Sequence, residues 1–261
     1  MSQREIKGSR VIVTGASSGI GRAVSLQLAR EGAKLLVVAR RQERLNQLAE
    51  EVAAINGRIE ILPGDITDEQ TRRRIIEAVQ SHFGGLDILI NNAGIGALGR
   101  FEDNDSQRLH AVFEVNFFAL AEMTRSALPL LKKGNKPMLV NVGSILARRG
   151  VPCMSEYSAS KFAVQGFSEA IRSEFTRHGI DVLVVNPGTT ETEFFDGKFE
   201  KGAEPSWPRH KPTTAKRVAQ AMVKAIRLGR HEIIPYNKGK ILCWLNRLSP
   251  SLMDSIMARY S

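Results

Sequence analysis

Tyr157 and Lys161, in "YSASK", stand one helical turn apart with nothing bulky between them. Residues at i and i+4 share a helix face, so the Lys161 ammonium can lie close to the Tyr157 hydroxyl. A phenol is a poor acid at neutral pH, with an unperturbed pKa of about 10. A neighbouring positive charge favours the phenolate and lowers that value. That tunes a general acid/base when something reactive lies beside it, and on this reading Lys161 depresses the Tyr157 pKa. Alone, the pentapeptide reads as an ordinary surface helix, so the rest of the chain decides.

The second chemical feature is a glycine turn. "VIVTGASSGIGRAV" places Gly15, Gly19 and Gly21 between an apolar run and a helical period. Glycine lets backbone approach a phosphate closely, and the following helix offers free N–H groups and a positive dipole end. The spacing G-x-x-x-G-x-G is not the G-x-G-x-x-G dinucleotide fingerprint. Arg22 follows Gly21 with no Lys-Ser/Thr pair, so it is not a P-loop either. A tight strand-to-helix turn needs glycine in any case.

The elements that must position these groups alternate. Short apolar runs, many of them β-branched, fall at 10–15, 34–39, 59–62, 86–91, 137–142, 181–186 and 232–235, as in strands of a sheet buried on both faces. Between them Ile20, Val24 and Leu28, then Leu45, Leu48, Val52 and Ile55, recur at helical spacing. This predicts an α/β fold, a doubly wound parallel sheet of about seven strands with helices on both faces, in one domain over 1–261. The stretch 188–212, rich in Gly, Pro and charge, is long enough to be an active-site lid.

Composition narrows the function. Hydrophobic residues make up 43% of the 261, enough for a sizeable core. The two cysteines, Cys153 and Cys243, give neither a disulfide framework nor a metal-ligand cluster. No metal is expected, and the reading is of a reducing, cytoplasmic home. The start lacks the apolar core of a signal peptide, and no apolar run reaches the length of a membrane span. The net charge of +10 raises nucleic acid as a partner. The basic residues are dispersed, aromatics are 6%, and no nucleic-acid motif is present. The charge suits a polyanionic small molecule or an anionic membrane surface instead.

Taken in order, Thr14-Gly15-Ala16-Ser17-Ser18-Gly19-Ile20-Gly21, "NNAG" at 91–94, Asn116, Ser144, "YSASK" and "NPG" at 186–188 form a highly specific set. In it the chain resembles the short-chain dehydrogenase/reductase family, in its basic subdivision of about 250 residues, motif by motif over 8–190. The resemblance implies that Thr14 and the turn Gly15, Ser17, Ser18, Gly19, Ile20 and Gly21 hold a dinucleotide pyrophosphate. Asp65 and Ile66 would meet the adenine, and Asn92, Ala93 and Gly94 would support its ribose. Pro187, Gly188, Thr190 and Thr192 would contact the nicotinamide end. Thr190 departs from the apolar residue frequent there, which leaves it to add a hydrogen bond or to face solvent. Asn116, Ser144, Tyr157 and Lys161 would be the catalytic set, acting on a small-molecule carbonyl or alcohol. In it Ser144 polarises the oxygen, Tyr157 exchanges the proton, Lys161 also holds the ribose, and Asn116 tethers a water. A homodimer or homotetramer is implied too.

Cofactor choice rests on "LLVVARRQERL". Where NAD-preferring relatives carry a carboxylate, this chain has Ala39, followed by Arg40 and Arg41. Guanidinium pairs with phosphate through parallel N–H bonds. NADP(H) is therefore expected over NAD(H), set mainly by Arg40, with Ser18 adding nothing. Other residues are open to two readings. Arg148 and Arg149 either hold an anionic substrate or are solvated. Cys153 either lines the cavity or packs as a neutral thiol. Phe194, Phe195, Phe199 and Trp207 either cover the substrate or pin a loop. The scattered His82, His110, His178, His210 and His231 have no ligand spacing. The tail 236–261, apolar and basic, reads as a cavity cover, a subunit contact or a peripheral membrane segment. The alternatives to an NADP-dependent carbonyl reductase are a 3-oxoacyl-thioester reductase and a non-catalytic redox-sensing regulator. The regulator would be expected to lack Tyr157 or Lys161, and both are present.

Overall fold

The computed structural model describes residues 3–195 and 212–260. Most of the predicted lid, with Phe199, Trp207 and His210, lies outside them. Seven strands form one parallel sheet: β1 (Arg10–Thr14), β2 (Lys34–Ala39), β3 (Arg58–Pro63), β4 (Ile88–Asn91), β5 (Met138–Val142), β6 (Asp181–Val185) and, after two short strands, β9 (Glu232–Ile233). Their order is 3-2-1-4-5-6-9, so the winding reverses between β1 and β4. The crevice outside the strand ends at such a reversal is where doubly wound sheets bind ligands.

The apolar runs are continuous because both sheet faces are covered. Val11 and Val13 point into one core with Leu35, Val37, Ile88 and Ile90. Ile12 points into the other with Leu36, Val38 and Leu89. Helices α1 (Gly19–Arg30), α2 (Gln42–Ala53) and α7 (Ala215–Arg227) cover the first face. On the other lie α3 (Glu69–Phe83), α5 (Ala119–Leu131) and α6 (Ser155–Phe175). Local chemistry sets the ends. Asp68 accepts from the Gln70 and Thr71 amides at the start of α3, and Gly84 at φ 73° ends it.

Polar side chains pin the sheet from inside. Asn91 and Asn141 are register partners in β4 and β5. Asn91 Nδ2 donates to Asn141 Oδ1 at 3.0 Å, and Asn141 Nδ2 donates to Ser168 Oγ of α6 at 2.9 Å. β4 starts two residues later than the apolar run suggested, and Asp87, just before it, is bonded to Arg10. Its carboxylate accepts from the Arg10 guanidinium at 2.6 and 2.9 Å and from the Arg10 and Asn135 amides.

Three features concern the substrate side. The helix carrying Asn116 is broken: α4 (Ser106–Phe113) passes through a π-helical turn, Glu114–Phe118, into α5. The base of the predicted lid forms a two-stranded ladder, β7 (Thr190–Glu191) with β8 (Thr213–Thr214). The tail folds as two helices, α8 (Asn237–Leu248) and α9 (Pro250–Met257), divided where Pro250 takes a first helical position that needs no N–H partner.

Candidate active site

A cavity of about 1120 Å³ runs from the β1–α1 turn, across the ends of β4 and β5, to α8 and α9. At the turn the walls are backbone. Gly15 lies at φ +66°, and a Cβ there would stand 2.7 Å from Ala93 Cα; one on Gly21 would stand 2.4 Å from Asn92 Nδ2 and from the Gly15 carbonyl oxygen. No side chain fits either place. Thr14, fully buried, fixes the neighbouring strand end, its hydroxyl accepting from the Asn92 and Ala93 amides at 3.0 and 3.1 Å. Asn92 Nδ2 returns to the Thr14 and Gly15 carbonyls. The result is a clear cradle ahead of α1, the chemistry and shape a pyrophosphate needs.

At the centre stand three functional groups. Ser144 ends the β5 segment, its amide donating to Asn186 Oδ1 at 3.0 Å and its hydroxyl accepting from the Leu146 amide at 3.1 Å. The same hydroxyl stands near enough to the Tyr157 phenol to favour its ionised form. Lys161 Nζ donates to the Val142 carbonyl at 3.0 Å and lies 5.7 Å from the centre of the Tyr157 ring. A Cβ on Gly94 would stand 3.0 Å from Asn116 Oδ1 and 3.6 Å from Lys161 Nζ, so these groups face one small volume.

Electrostatics correct the sequence expectation here. Tyr157 is not depressed: burial pushes its phenol up to about 12, only partly offset by the nearby Ser144 hydroxyl. Burial instead brings Lys161 down to about 8. The ammonium points at the Val142 carbonyl rather than the phenol oxygen, so desolvation outweighs any charge effect on the tyrosine. A neutral phenol is the form that donates a proton.

Of the residues expected from sequence to bind the cofactor or to act in catalysis, Thr14, Gly21 and Asn116 stand outside the cavity lining and the others line it. The Asn116 side chain is committed to protein. Nδ2 donates to the Ile95 carbonyl at 3.1 Å and to Ser160 Oγ at 3.0 Å, while Oδ1 accepts from the Ile95 amide at 2.8 Å. It thus holds the loop after β4 against α6. Thr190 donates to the Gly188 carbonyl at 2.9 Å, which places it between its two expected roles.

The two arginines after β2 differ. Arg40 is 70% exposed at the cavity rim, 3.9 Å from Asp65. Arg41 is held against the glycine turn, donating to Ser17 Oγ at 3.2 Å and Ser18 Oγ at 2.7 Å, and pairing with Glu193 at 3.0 Å. Ser18 thus orients the Arg41 guanidinium at the turn. Arg148 and Arg149 are neither free nor solvated: Arg148 pairs with Glu232 and Glu169, Arg149 with Asp254. Cys153 is half-buried, outside the lining.

The far arm was not specified by any motif. Phe194 and Phe195 pack edge-on to Tyr157, with ring centres 5.7 and 5.9 Å away. Leu98, Met154, Leu242, Met253 and Met257 continue the wall, and Tyr236 closes on Gly188. Periodicity in the tail was the available signal, since Leu242, Leu245, Met253, Ile256 and Met257 repeat at spacings of three and four within each helix. A buried ion pair stands beneath: the Arg108 guanidinium grips Glu156 with two bonds of 2.7 Å, both residues 3% exposed. Burial alone would raise the Glu156 pKa, but hydrogen bonds from Arg108 and Ser155 bring it below the ordinary range. The pair ties α4 to the first turn of α6, beside Tyr157.

Known proteins give the same picture. Residues 9–202 match the short chain dehydrogenase family. The chain is 36% identical over 193 residues to a short chain dehydrogenase of Pseudocercospora fijiensis, covering 73% of this chain and 62% of that protein. It is 31% identical over 264 residues to the ketoacyl reductase HetN of Nostoc sp., covering 96% of this chain and 88% of that one. Among solved structures, a short chain dehydrogenase/reductase of Burkholderia phymatum in complex with NAD superimposes with TM-score 0.87 at 23% identity, over 96% of each chain. A short chain dehydrogenase of Burkholderia cenocepacia in complex with NADP gives 0.79 at 29% identity, over 88% of this chain and 97% of that one. A buried seven-stranded sheet, a glycine cradle at its reversal point and a matched family over three quarters of the length lead to one conclusion: this chain belongs to the short-chain dehydrogenase/reductase family of nicotinamide-dependent oxidoreductases.

Proposed function

We propose that the protein is an NADP(H)-preferring oxidoreductase interconverting a carbonyl and a secondary alcohol. The observation that carries this reading is the meeting of the Tyr157 phenol, Ser144 hydroxyl and Lys161 ammonium in a cavity with a phosphate cradle at one end and an apolar arm at the other. The dinucleotide, when bound, supplies the hydride to the carbonyl carbon. Tyr157, held neutral by burial, donates its proton to the substrate oxygen, and Ser144 hydrogen-bonds that oxygen as charge develops. Lys161, 5.7 Å from the Tyr157 ring centre, supplies the positive charge near the phenolate left behind and would hold the nicotinamide ribose. Asn116 positions the loop that walls this volume. The alcohol-oxidising direction uses the same groups in reverse.

NADP(H) preference is supported by Ala39 in place of a carboxylate and by Arg40 and Arg41, which line the cavity beside the glycine turn. The apolar arm and the likeness to a ketoacyl reductase favour a narrower reading, reduction of a 3-oxoacyl thioester. We also propose a homodimer or homotetramer, supported by Phe118 and Phe162, 49% and 45% exposed around α5 and α6. The two free cysteines support a reducing, cytoplasmic setting.

The test is Tyr157→Phe with a panel of ketones and 3-oxoacyl thioesters, followed by NADPH absorbance and by NADPH binding. Turnover should fall about 10²- to 10⁴-fold with binding kept; near-normal turnover would sink the assignment. Arg40→Ala and Arg41→Ala should each lower kcat/KM for NADPH by roughly ten- to a hundredfold, with NADH little changed. A wild type that prefers NADH refutes the cofactor part.

A further inference from the structure

Along α8, Ile241, Trp244, Leu245 and Leu248 recur at spacings of three and four, which is one stripe of a helix. That stripe faces outward: the four are 58%, 62%, 40% and 62% exposed, and Leu252 at the start of α9 is 55% exposed. Half of the ten large apolar side chains exposed among the described residues thus fall within twelve positions. The opposite face is already bound to the body. Asn246 accepts from Arg149 at 3.2 Å and donates to the Arg148 carbonyl at 3.0 Å, while Leu242 packs with the cluster around Tyr157. The helix is therefore fixed with its apolar stripe in solvent. Ile241 and Leu245 belong both to this stripe and to the cavity wall, so the stripe runs into the mouth of the apolar arm.

Charge selects the occupant. Lys240 and Arg247, two turns apart, lie along one flank of the stripe, both exposed, and Arg259 is exposed beyond α9. Asp254 is the acidic residue of the segment 237–260, and Arg149 neutralises it. A second copy docking the same face about a twofold would bring these cations against one another. A negatively charged lipid surface meets them with opposite sign, and an apolar stripe with a tryptophan and flanking cations is the pattern of a helix lying in the membrane interface. Among the described residues no helix is long and apolar enough to cross a membrane.

We infer that α8, with the start of α9, docks on an anionic lipid surface and sets the mouth of the cavity against it. An apolar carbonyl or alcohol dissolved in that surface then enters without crossing water. Naming the arm as the substrate entrance rests on the function proposed above; the docking itself does not.

The experiment uses the full chain carrying Trp207→Phe, which leaves Trp244 as its one tryptophan. Vesicles of phosphatidylcholine alone and of phosphatidylcholine with phosphatidylserine are compared by co-sedimentation and by Trp244 emission, without cofactor or substrate. Binding and a blue shift are expected with the serine-containing vesicles. Trp244→Glu/Leu248→Glu and, separately, Lys240→Glu/Arg247→Glu should each weaken partition by about tenfold or more. Circular dichroism and NADPH binding verify that each variant is folded. The charge-reversed pair keeps the apolar stripe, so it decides the matter if the first pair does not fold. Equal partition onto both vesicle types, or unchanged partition in the folded variants, overturns the proposal. So does an oligomer, measured by light scattering, that dissociates in Trp244→Glu/Leu248→Glu with no vesicle response, because the face is then a subunit contact. Vesicle partition needs no turnover, so an inactive carbonyl panel and absent vesicle binding refute different statements.

Discussion

At the glycine-turn end of the cavity the walls are main chain and buried hydrogen bonds; at the α8–α9 end they are aliphatic and sulfur-containing side chains. The first end tolerates no new atom, since Cβ positions on Gly15 and Gly21 are filled by Ala93 backbone and the Gly15 carbonyl. The second is lined by Leu242, Met253 and Met257, which pack by area rather than by direction. Directional bonds demand one geometry, and so they suit a ligand of constant structure. Apolar packing accepts many shapes of similar volume, and so it suits the part of the ligand that varies.

That contrast is open to attack, starting with the pair that stands between the ends. Arg108→Ala leaves the Glu156 carboxylate buried without its counter-charge, and urea denaturation should show a loss of about 3–5 kcal/mol. A loss near that of an exposed pair would mean that α4 and α6 are joined mainly by apolar packing. Next, Gly21→Ala should introduce about 1–3 kcal/mol of overpacking and lower NADPH affinity at least tenfold by titration. An unchanged affinity would mean that the cradle yields like the other end. Leu242→Ala should act oppositely, raising KM for an apolar substrate by about tenfold with NADPH KM unchanged.

The smallest effect expected is on pH. In the carbonyl-reducing direction kcat/KM should decline as pH rises through about 8, where Lys161 loses its charge, while Tyr157, pushed up to about 12, keeps its proton. Lys161→Arg should remove that limb, because a guanidinium stays charged; a limb that remains belongs to another group. Stability changes in the other sense. Unfolded Lys161 holds its proton to about 10.5 and the folded form releases it near 8, so its unfavourable contribution fades as pH rises across that window.

The same division decides what was legible in the sequence. Gly15, Gly19 and Gly21 announce a turn because no other residue takes their place, and the apolar runs announce a two-faced sheet because burial on both sides leaves no polar alternation. Tyr157 and Lys161 were visible by spacing, but their electrostatics were not. Burial depends on what packs above them, and Phe194 and Phe195 come from a segment more than thirty residues downstream. Arg41 was overshadowed by Arg40 because adjacent residues look equivalent until the chain turns one of them onto Ser17 and Ser18. Arg148 and Arg149 looked free for the same reason: Glu232 and Asp254 are far along the chain and near only in space. The wall from α8 and α9 has no motif, since packing by area needs none.

The Asn91–Asn141 bond inside the sheet has a consequence for which fold the chain reaches. A parallel strand that slips by one residue turns its side chains to the wrong face and is rejected by hydrophobicity. A slip by two keeps every apolar side chain on its proper face, so burial alone barely distinguishes it. In that register Asn91 would stand beside Leu139 instead of Asn141, and Asn141 Oδ1 and one Asn91 Nδ2 proton would both lose their partner in the core. Each buried polar group left unpaired costs about 1–3 kcal/mol. The two asparagines thus act as a checksum on strand alignment, and they discriminate against the misalignment that the apolar pattern cannot detect.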